Sequence, residues 1–330
     1  MNATPRVHDL APRRRATPLG AAAGAVVLGV LCAVALAMSG CGLGAGKAPN
    51  AIGLVVTRDF GAKVVRSWGA PQARGQETVM SLLTRNATVS TRFGGGFVQS
   101  IDGLDGGRSA GHSVDWFYYV NGLEASKGAA STNVHPGDHI WWDRHDWSAT
   151  DDIPAVVGSF PQPFLNGIGG KRLPVRVECG RVDVNACRTV TDRLRAQHIP
   201  AGVAAIGSGV GAAHTLRVAV GTWREIAGVS DVRELSAEPR TSGVYARFSA
   251  SGTTLTLLDE AARSTQTLAA GAGLIAATRN GEDAPVWAVT GTDAAGVRRA
   301  ASAFDAATLR NRFAVAVGAG GPLGLPRPGT

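Results

Sequence analysis

Residues 51–149 contain several short apolar segments, rich in β-branched and aromatic residues, of the kind that form β-strands. The segments IGLVVTR, AKVVRSW, FVQSI, VDWFYYV and HIWWDRHDW predict strands. ETVMSLLTRN instead places Val79, Leu82 and Leu83 at helical spacing and predicts a helix. One helix across a mixed or antiparallel sheet of four or five strands is a β-grasp-like domain.

Two turns connect the aromatic strands of this domain. Asn121-Gly122 follows WFYYV directly, and an Asn-Gly pair between two strands is the strongest short hairpin signal. Its type I′ turn needs two residues with positive φ, which Asn and Gly tolerate best. Pro136-Gly137-Asp138 predicts a second turn before the last strand.

The composition changes after residue 149. Residues 150–173 are rich in Pro and Gly and predict a linker, or a strap over the first domain. In residues 174–317 predicted strands such as PVRVEC, TLRVAVG and PVWAVTG alternate with predicted helices. Residues 318–330 have no apolar periodicity and are expected to be disordered. The expected fold class is α+β, with an N-terminal β-grasp-like domain followed by a larger α/β domain with a mixed sheet.

The start of the chain has the features of an export signal. Residues 1–40 begin with four arginines and continue with an apolar run from Leu19 to Met38. The small residues before Cys41 resemble a bacterial lipobox, which implies cleavage there and a lipid on Cys41, followed by a flexible spacer at residues 41–50. An uncleaved membrane helix is the alternative. Either reading places the protein at the cell membrane, on its extracytoplasmic face, and the lipoprotein reading makes it lipid-anchored.

The cysteines and charges agree with this location. With Cys32 in the leader and Cys41 lipidated, Cys179 and Cys187 remain as a closely spaced pair, which predicts one local disulfide in an oxidising compartment. The formal charge of the whole chain is +8, and residues 41–330 carry +5. These charges are scattered along the chain, so no nucleic-acid partner is expected.

The stretch HPGDHIWWDRHDW concentrates candidate ligand-binding side chains. In an extended strand, His139, Trp141, Asp143, His145 and Trp147 lie on one face. Imidazole and carboxylate groups are ligands for zinc or copper. However, six residues of strand separate the two histidines by roughly 20 Å, so no metal site is expected.

The tryptophans carry the stronger signal. Indole rings on both faces of one strand exceed the space beneath one helix, so Trp141 or Trp142, together with Trp147, is expected to be partly exposed. Exposed aromatic rings bind planar ligands, sugars or protein partners. The competing interpretation places Trp142 in the core and Trp141 beneath the proline-rich strap. The candidate ligand-binding residues are Trp116, Tyr118, Trp141, Trp142 and Trp147.

Other motifs indicate local structure. Gly107-Arg108-Ser109-Ala110-Gly111 fits the pattern of a nucleophile elbow, but the required strand-to-helix turn is not predicted there, so we interpret it as a hairpin connection. Thr222 and Asp293 precede predicted helices and are expected to cap them. No catalytic constellation stands out, which favours a binding protein over an enzyme. Buried, mutually contacting His and Asp side chains in the α/β domain would favour an enzyme acting on cell-envelope polymers.

The segments VVTRDFG, ETVMSLLTR, FVQSIDG, WFYYVNGLEA and HPGDHIWW occur in the order found in the transcobalamin C-terminal-like domains. Residues 51–147 therefore resemble this family, whose members in vitamin B12 carriers cover one face of the corrinoid. The resemblance implies a lipid-anchored extracytoplasmic binding protein for a small planar ligand, with capture of a corrinoid for uptake as its most specific form. No cofactor is expected. The expected partners are the membrane, through the anchor, and an uptake transporter or another envelope protein. The alternative is a cell-envelope assembly or adhesion module that binds a protein or a glycan.

Overall fold

The computed structural model describes residues 51–69, 71–150, 152–208 and 212–329. These residues form one compact unit in which several sheets pack with helices, which confirms the α+β class. The predicted export signal, the lipid on Cys41 and the spacer lie outside the described residues.

In the first part of the chain, the described residues form nine strands and one α-helix. They are β1 (Gly53–Arg58), β2 (Lys63–Trp68), α1 (Val79–Asn86), β3 (Val89–Arg92), β4 (Phe97–Ile101), β5 (Leu104–Asp105), β6 (Gly107–Ser109), β7 (His112–Val120), β8 (Leu123–Glu124) and β9 (His139–Asp146), with a 3₁₀ turn at Phe93–Gly95. The N-terminal sheet has the order β2-β1-β9-β7-β6, with β8 paired to β7, and β3, β4 and β5 form a separate small sheet.

The N-terminal sheet is mixed, since β1 and β9 run parallel while the other pairs are antiparallel. The predicted hairpin is confirmed, because Asn121 and Gly122 have φ values of 56° and 81° and link the paired residues Val120 and Leu123. The hairpin reading of Gly107–Gly111 is also confirmed, because β6 pairs with β7 across this turn.

One face of the N-terminal sheet packs against α1. Thr78 caps this helix by accepting a hydrogen bond from the backbone N–H of Ser81. The apolar side chains that the sequence predicts on one face of α1 are buried, and they pack with residues of β1, β4, β7 and β9 in one core. The members of this core that come from α1 and β9 are Val79, Leu82, Leu83, Ile140 and Trp142.

In the second part of the chain, ten strands and several helices are found within the described ranges. They are β10 (Val175–Cys179), α2 (Val184–Ala196), β11 (Ala201–Ala205), β12 (Leu216–Thr222), α3 (Trp223–Ile226), α4 (Ser230–Arg233), α5 (Pro239–Ser242), β13 (Ala246–Phe248), β14 (Leu255–Leu258), β15 (Ser264–Leu268), β16 (Gly273–Thr278), β17 (Val286–Gly291), α6 (Ala294–Ser302), α7 (Ala306–Leu309), β18 (Ala314–Gly318) and β19 (Gly321–Leu325), with 3₁₀ turns at Ala212–His214 and Glu234–Ser236.

The large sheet has the order β11-β10-β12-β17-β16-β18-β19. Its first four strands are parallel and the rest antiparallel, so the predicted mixed sheet is confirmed. Helices α2 and α6 cover one face. The other face packs on the small sheet β13-β14-β15 and also on residues of the N-terminal sheet.

The predicted caps are also present in this part. Thr222 forms a capping box with Glu225 at the start of α3, and Asp293 accepts a hydrogen bond from the backbone N–H of Gly296. The predicted disulfide between Cys179 and Cys187 is confirmed and ties the end of β10 to α2. None of the helices in the described ranges is long and apolar enough to span a bilayer.

Two segments expected to be irregular are packed into the protein. The tail contains β19, which pairs with β18 and buries Leu325, so the prediction of disorder for residues 318–330 is wrong at this strand. The predicted linker includes residues 153–166, here called the strap, whose apolar side chains join both large cores. The strap is thus part of the packed interior, because its valines and phenylalanines contact apolar side chains of both large cores.

Candidate functional site

The side chains of β9 alternate between the two faces as the sequence predicts. Trp142 lies in the core with α1, and Trp141 lies in the core shared with the large sheet. The N-terminal sheet is therefore covered on both faces, which a single helix could not achieve.

Trp141 is completely enclosed, with 0% of its surface exposed. Its ring lies 5.2 Å from the ring of Phe313, between centroids, and the strap approaches it so closely that a Cβ added at Gly158 would come within 2.7 Å of its Cζ3. The indole N–H donates to Thr57 Oγ1 at 2.6 Å. The expectation that Trp141 or Trp142 is partly exposed is wrong, and the competing interpretation, with Trp141 beneath the strap, is confirmed.

The other predicted aromatic residues differ in accessibility. Trp142 is 2% exposed and Trp116 is buried, whereas Tyr118 is partly buried. Trp147 is 36% exposed, as expected, and its indole N–H donates to Asp115 Oδ2 at 3.0 Å. Trp141 is thus enclosed and Trp147 lies at the surface, and both are separated from Trp116, Tyr118 and Trp142.

Beside Trp141 lies a buried polar network. Asp143 accepts hydrogen bonds from the backbone N–H groups of Phe60 and Gly61, from the Thr57 hydroxyl and from His145 Nδ1, the last at 2.9 Å. His145 is stacked between the rings of Phe60 and Phe117, at 4.5 Å from each. Because the enclosed Asp143 carboxylate accepts from Thr57 of β1 and from two N–H groups that follow β1, this network joins β1 to β9.

This network lies outside the part of the chain where a buried His–Asp contact would favour an enzyme. The contact between His145 and Asp143 is in the N-terminal sheet instead of the α/β part. Among the described residues, no three His, Cys, Asp or Glu side chains lie close enough together to hold a metal ion.

Three of the predicted ligand-binding residues meet at one cavity. Trp116, Tyr118 and Trp142 line a cavity of about 180 Å³ between the N-terminal sheet and the segment that follows β8. We call it the aromatic hollow, and its other apolar side chains include Met80 and Phe97. The rings of Tyr118 and Trp142 are stacked with centroids 4.8 Å apart.

The aromatic hollow also has polar character. Trp142 Nε1 is buried and has no hydrogen-bond partner among the described residues. The Tyr118 hydroxyl donates to the backbone carbonyl of Lys127 and lies 2.8 Å from Thr132 Oγ1, which fixes the orientation of the ring. A flat ring with a fixed orientation beside an unpaired N–H can bind a planar group that carries an acceptor.

A second cavity of about 320 Å³ adjoins the aromatic hollow and shares Glu124 and Ala125 with it. We call it the polar cavity. Burial, together with the nearby Asp152 charge, raises the pKa of Glu124 to about 7, although the Ile153 N–H and Arg279 oppose this shift. Glu124 Oε2 accepts from the Ile153 N–H at 2.7 Å, and its carbonyl accepts from Arg279 Nη2.

A third cavity lies beneath the strap. This cleft of about 580 Å³, here called the strap cleft, is lined by β1, β2, the start of β9, the strap and residues that follow α6. His139 Nδ1 lies 2.9 Å from Ser159 Oγ at this cleft, and burial lowers the pKa of His139 to about 4. A neutral imidazole bonded to a serine has two elements of a nucleophilic site, but no carboxylate orients this imidazole among the described contacts.

Sequence reasoning missed Glu124, Ser159, Asn166 and Arg310. The last three line the strap cleft, and they come from segments that meet only in the folded chain. Glu124 follows the Asn-Gly hairpin, and this proximity to a predicted aromatic strand was the one signal that pointed to it.

Comparison with known proteins gives one match to part of the chain. Among curated proteins, no match is found. Residues 76–146, from the segment before α1 to the end of β9, match the model of a family described as a domain of unknown function, DUF4430.

Proposed function

We propose that the protein is a binding protein that receives a small planar group in the aromatic hollow. The observation that carries this proposal is the meeting of Trp116, Tyr118 and Trp142 at one cavity with an unpaired indole N–H. Buried polar groups without partners are rare in folded proteins. We therefore expect a hydrogen-bond acceptor on the ligand to pair with this N–H.

The size of the hollow limits the ligand. A volume of about 180 Å³ lies below the ~300–1,000 Å³ of pockets that enclose a whole drug-sized molecule. A corrinoid would therefore insert one edge or one planar substituent, and the rest would lie outside. The resemblance of residues 51–147 to the transcobalamin C-terminal-like domains supports a corrinoid as the specific form of this proposal.

We also propose that a lipid on Cys41 holds the protein on the extracytoplasmic face of the cell membrane, where an uptake transporter would receive the ligand. The apolar run before Cys41 and the disulfide between Cys179 and Cys187 support this location, since disulfides persist in oxidising compartments. Replacing Cys41 with Ser should release the chain from the membrane fraction or block its maturation. An unchanged membrane fraction and unchanged mass would contradict the anchor.

The planar-ligand proposal is tested by calorimetric titration of the full chain with indole and with cyanocobalamin. We expect saturable binding of at least indole, and a loss of about fivefold in affinity for Phe97→Ala, which removes one aromatic wall. Phe93→Ala is the matched control, because Phe93 is 86% exposed beside Phe97. If neither compound binds, or if both variants bind equally well, the aromatic hollow is not the ligand site.

An envelope-assembly role is the second candidate, and the edge of the N-terminal sheet favours it. Strand β2 lies at this edge, and its Val64 is 56% exposed. An open edge strand with exposed apolar side chains can pair with a strand of a partner protein. Pull-down from membranes should then recover a partner that Val64→Lys loses. Val184→Lys, at a valine on α2 that is 68% exposed, should retain it.

A further inference from the structure

The strap cleft is separate from the aromatic hollow, since no residue lines both. Its volume of about 580 Å³ falls within the ~300–1,000 Å³ typical of pockets that bind small molecules. Five segments of the chain line it, namely β1, β2, residues 137–139, the strap, and residues 306–311.

The lining of the strap cleft includes a hydrogen-bond acceptor without a partner. Asn166 is 8% exposed, its side-chain N–H donates to the Gly137 carbonyl at 2.8 Å, and its backbone N–H donates to Gln162 Oε1. Asn166 Oδ1 is buried and has no hydrogen-bond partner among the described residues. Because an unpaired buried acceptor is unfavourable, this oxygen is suited to an O–H or N–H of a ligand.

The lining also includes a carboxylate. Asp138 accepts hydrogen bonds from Asn121 Nδ2 and from the His135 N–H, both at 2.8 Å. His139 adds no positive charge near neutral pH, because burial lowers its pKa to about 4. An anionic group is therefore disfavoured beside Asp138, and a donor group is favoured.

The lining also includes a cation. Arg310 follows α7, is exposed, and forms no ion pair with any residue in the described ranges. The apolar residues of the lining include Val55, Phe160 and Leu165. The cleft therefore combines an acceptor, apolar surface and a cation.

We propose that the strap cleft is a second binding site, for a small amphiphilic anion. The ligand places a hydroxyl or N–H donor at Asn166 Oδ1, an apolar body against Phe160 and Leu165, and a carboxylate or similar anion at Arg310. This proposal is independent of the aromatic hollow, and it holds even if the aromatic hollow binds no ligand.

The test uses p-hydroxyphenylacetate, which carries a phenolic donor, a ring and a carboxylate. Calorimetry and saturation-transfer NMR on the full chain should detect saturable binding. Tyrosol, which has the same ring and phenol with an uncharged hydroxyl in place of the carboxylate, should bind about tenfold more weakly, and phenylacetate, which lacks the phenol, should also bind more weakly.

Variants locate the site. Arg310→Gln should weaken binding of p-hydroxyphenylacetate by about tenfold and leave tyrosol unaffected. Arg188→Gln is the matched control, because Arg188 is an exposed arginine on α2 outside the cleft. Ala306→Phe, which fills the cleft from the rim, should abolish binding while the melting temperature and the affinity for indole stay unchanged.

Three results would overturn the proposal. They are the absence of saturable binding of p-hydroxyphenylacetate, equal affinities of Arg310→Gln and Arg188→Gln, and full binding by a folded Ala306→Phe variant. Competition between indole and p-hydroxyphenylacetate would instead assign both probes to one site and contradict an independent second site.

Discussion

At the scale of single residues, hydrogen bonds compensate for the burial of the Asp143 carboxylate. Its carboxylate is 0% exposed, yet it accepts hydrogen bonds from two backbone N–H groups, a hydroxyl and an imidazole. A buried carboxylate without such donors would be strongly destabilising, whereas this one joins β1 to β9 and fixes His145 between two rings.

Replacing Asp143 with Asn should therefore destabilise the protein by about 3 kcal/mol, since an amide N–H₂ then faces N–H donors. Urea denaturation measures the free energy of unfolding. Asp192→Asn is the control, because Asp192 is an exposed residue of α2 and its substitution should change stability by less than ~0.5 kcal/mol. Similar losses in both variants would show that the network does not stabilise the fold.

Glu124 makes a pH-dependent contribution to stability. Its pKa is raised to about 7 from 4.5, so the folded state holds a proton that the unfolded state releases. The stabilisation is fully present below about pH 4.5 and is lost as the pH rises through about 7, by about 3 kcal/mol in total. His139 acts in the opposite direction, because its lowered pKa makes stability rise with pH between about 4 and 6.5.

Comparing Glu124→Gln with the unmodified protein isolates the contribution of Glu124. The free energy of unfolding of the variant, minus that of the unmodified protein, should be larger at pH 8 than at pH 5. Urea denaturation at both pH values measures this difference. Glu282→Gln, at an exposed acid lining the same polar cavity, serves as control and should give a pH-independent difference. A constant difference for Glu124→Gln as well would mean that Glu124 titrates normally.

At the scale of elements, the strap decides which surfaces of the N-terminal sheet are accessible. Its backbone at Gly158 runs against both Trp141 and the residues before β18, and its apolar side chains enter both large cores. A segment whose composition predicts a linker, or a strap over the first domain, therefore covers Trp141 and lines the strap cleft.

Gly158→Ala tests this packing. The added Cβ would lie 2.6 Å from the Arg312 backbone N and 2.7 Å from Trp141 Cζ3, so the strap must shift, at a cost of about 1–3 kcal/mol. Gly228→Ala is the control, because a Cβ at that glycine meets nothing within 4 Å. Thermal and urea unfolding of the two variants should differ clearly, and equal stabilities would show that the strap packs loosely.

At the scale of the whole molecule, the N-terminal sheet depends on the second part of the chain. Val55, Phe60, Tyr119 and Trp141 share one core with residues of the large sheet and the small sheet β13-β14-β15. An isolated N-terminal segment would expose this apolar face to water, which is unfavourable in proportion to the apolar area exposed.

We therefore expect residues 51–149 expressed alone to bind the hydrophobic dye ANS and to unfold without a cooperative transition. Residues 51–330 should unfold cooperatively and bind little dye. Circular dichroism and dye fluorescence distinguish the two outcomes. Cooperative unfolding of the short segment without dye binding would show that the N-terminal sheet is stable by itself.

Much of the secondary structure could be predicted from the sequence. FVQSI, TLRVAVG and PVWAVTG form strands, and the Asn121-Gly122 turn has the predicted φ values, because apolar periodicity and turn chemistry act locally. Strand β19 was missed because its Gly- and Pro-rich sequence has no strand pattern, and only pairing with β18 defines it.

The sequence alone determined which side chains of β9 share a face, where the hairpin turns, and that Cys179 and Cys187 pair, since alternation, turn chemistry and spacing are local properties. Only the tertiary structure decided that Trp141 is sealed while Trp116, Tyr118 and Trp142 border a cavity, and that Asn166 and Arg310 meet at one cleft. Periodicity shows that a face is apolar, but the segments that cover it, such as the one containing Phe313 just before β18, come from far along the chain. Burial and cavities therefore depend on contacts between distant segments, which no local pattern encodes.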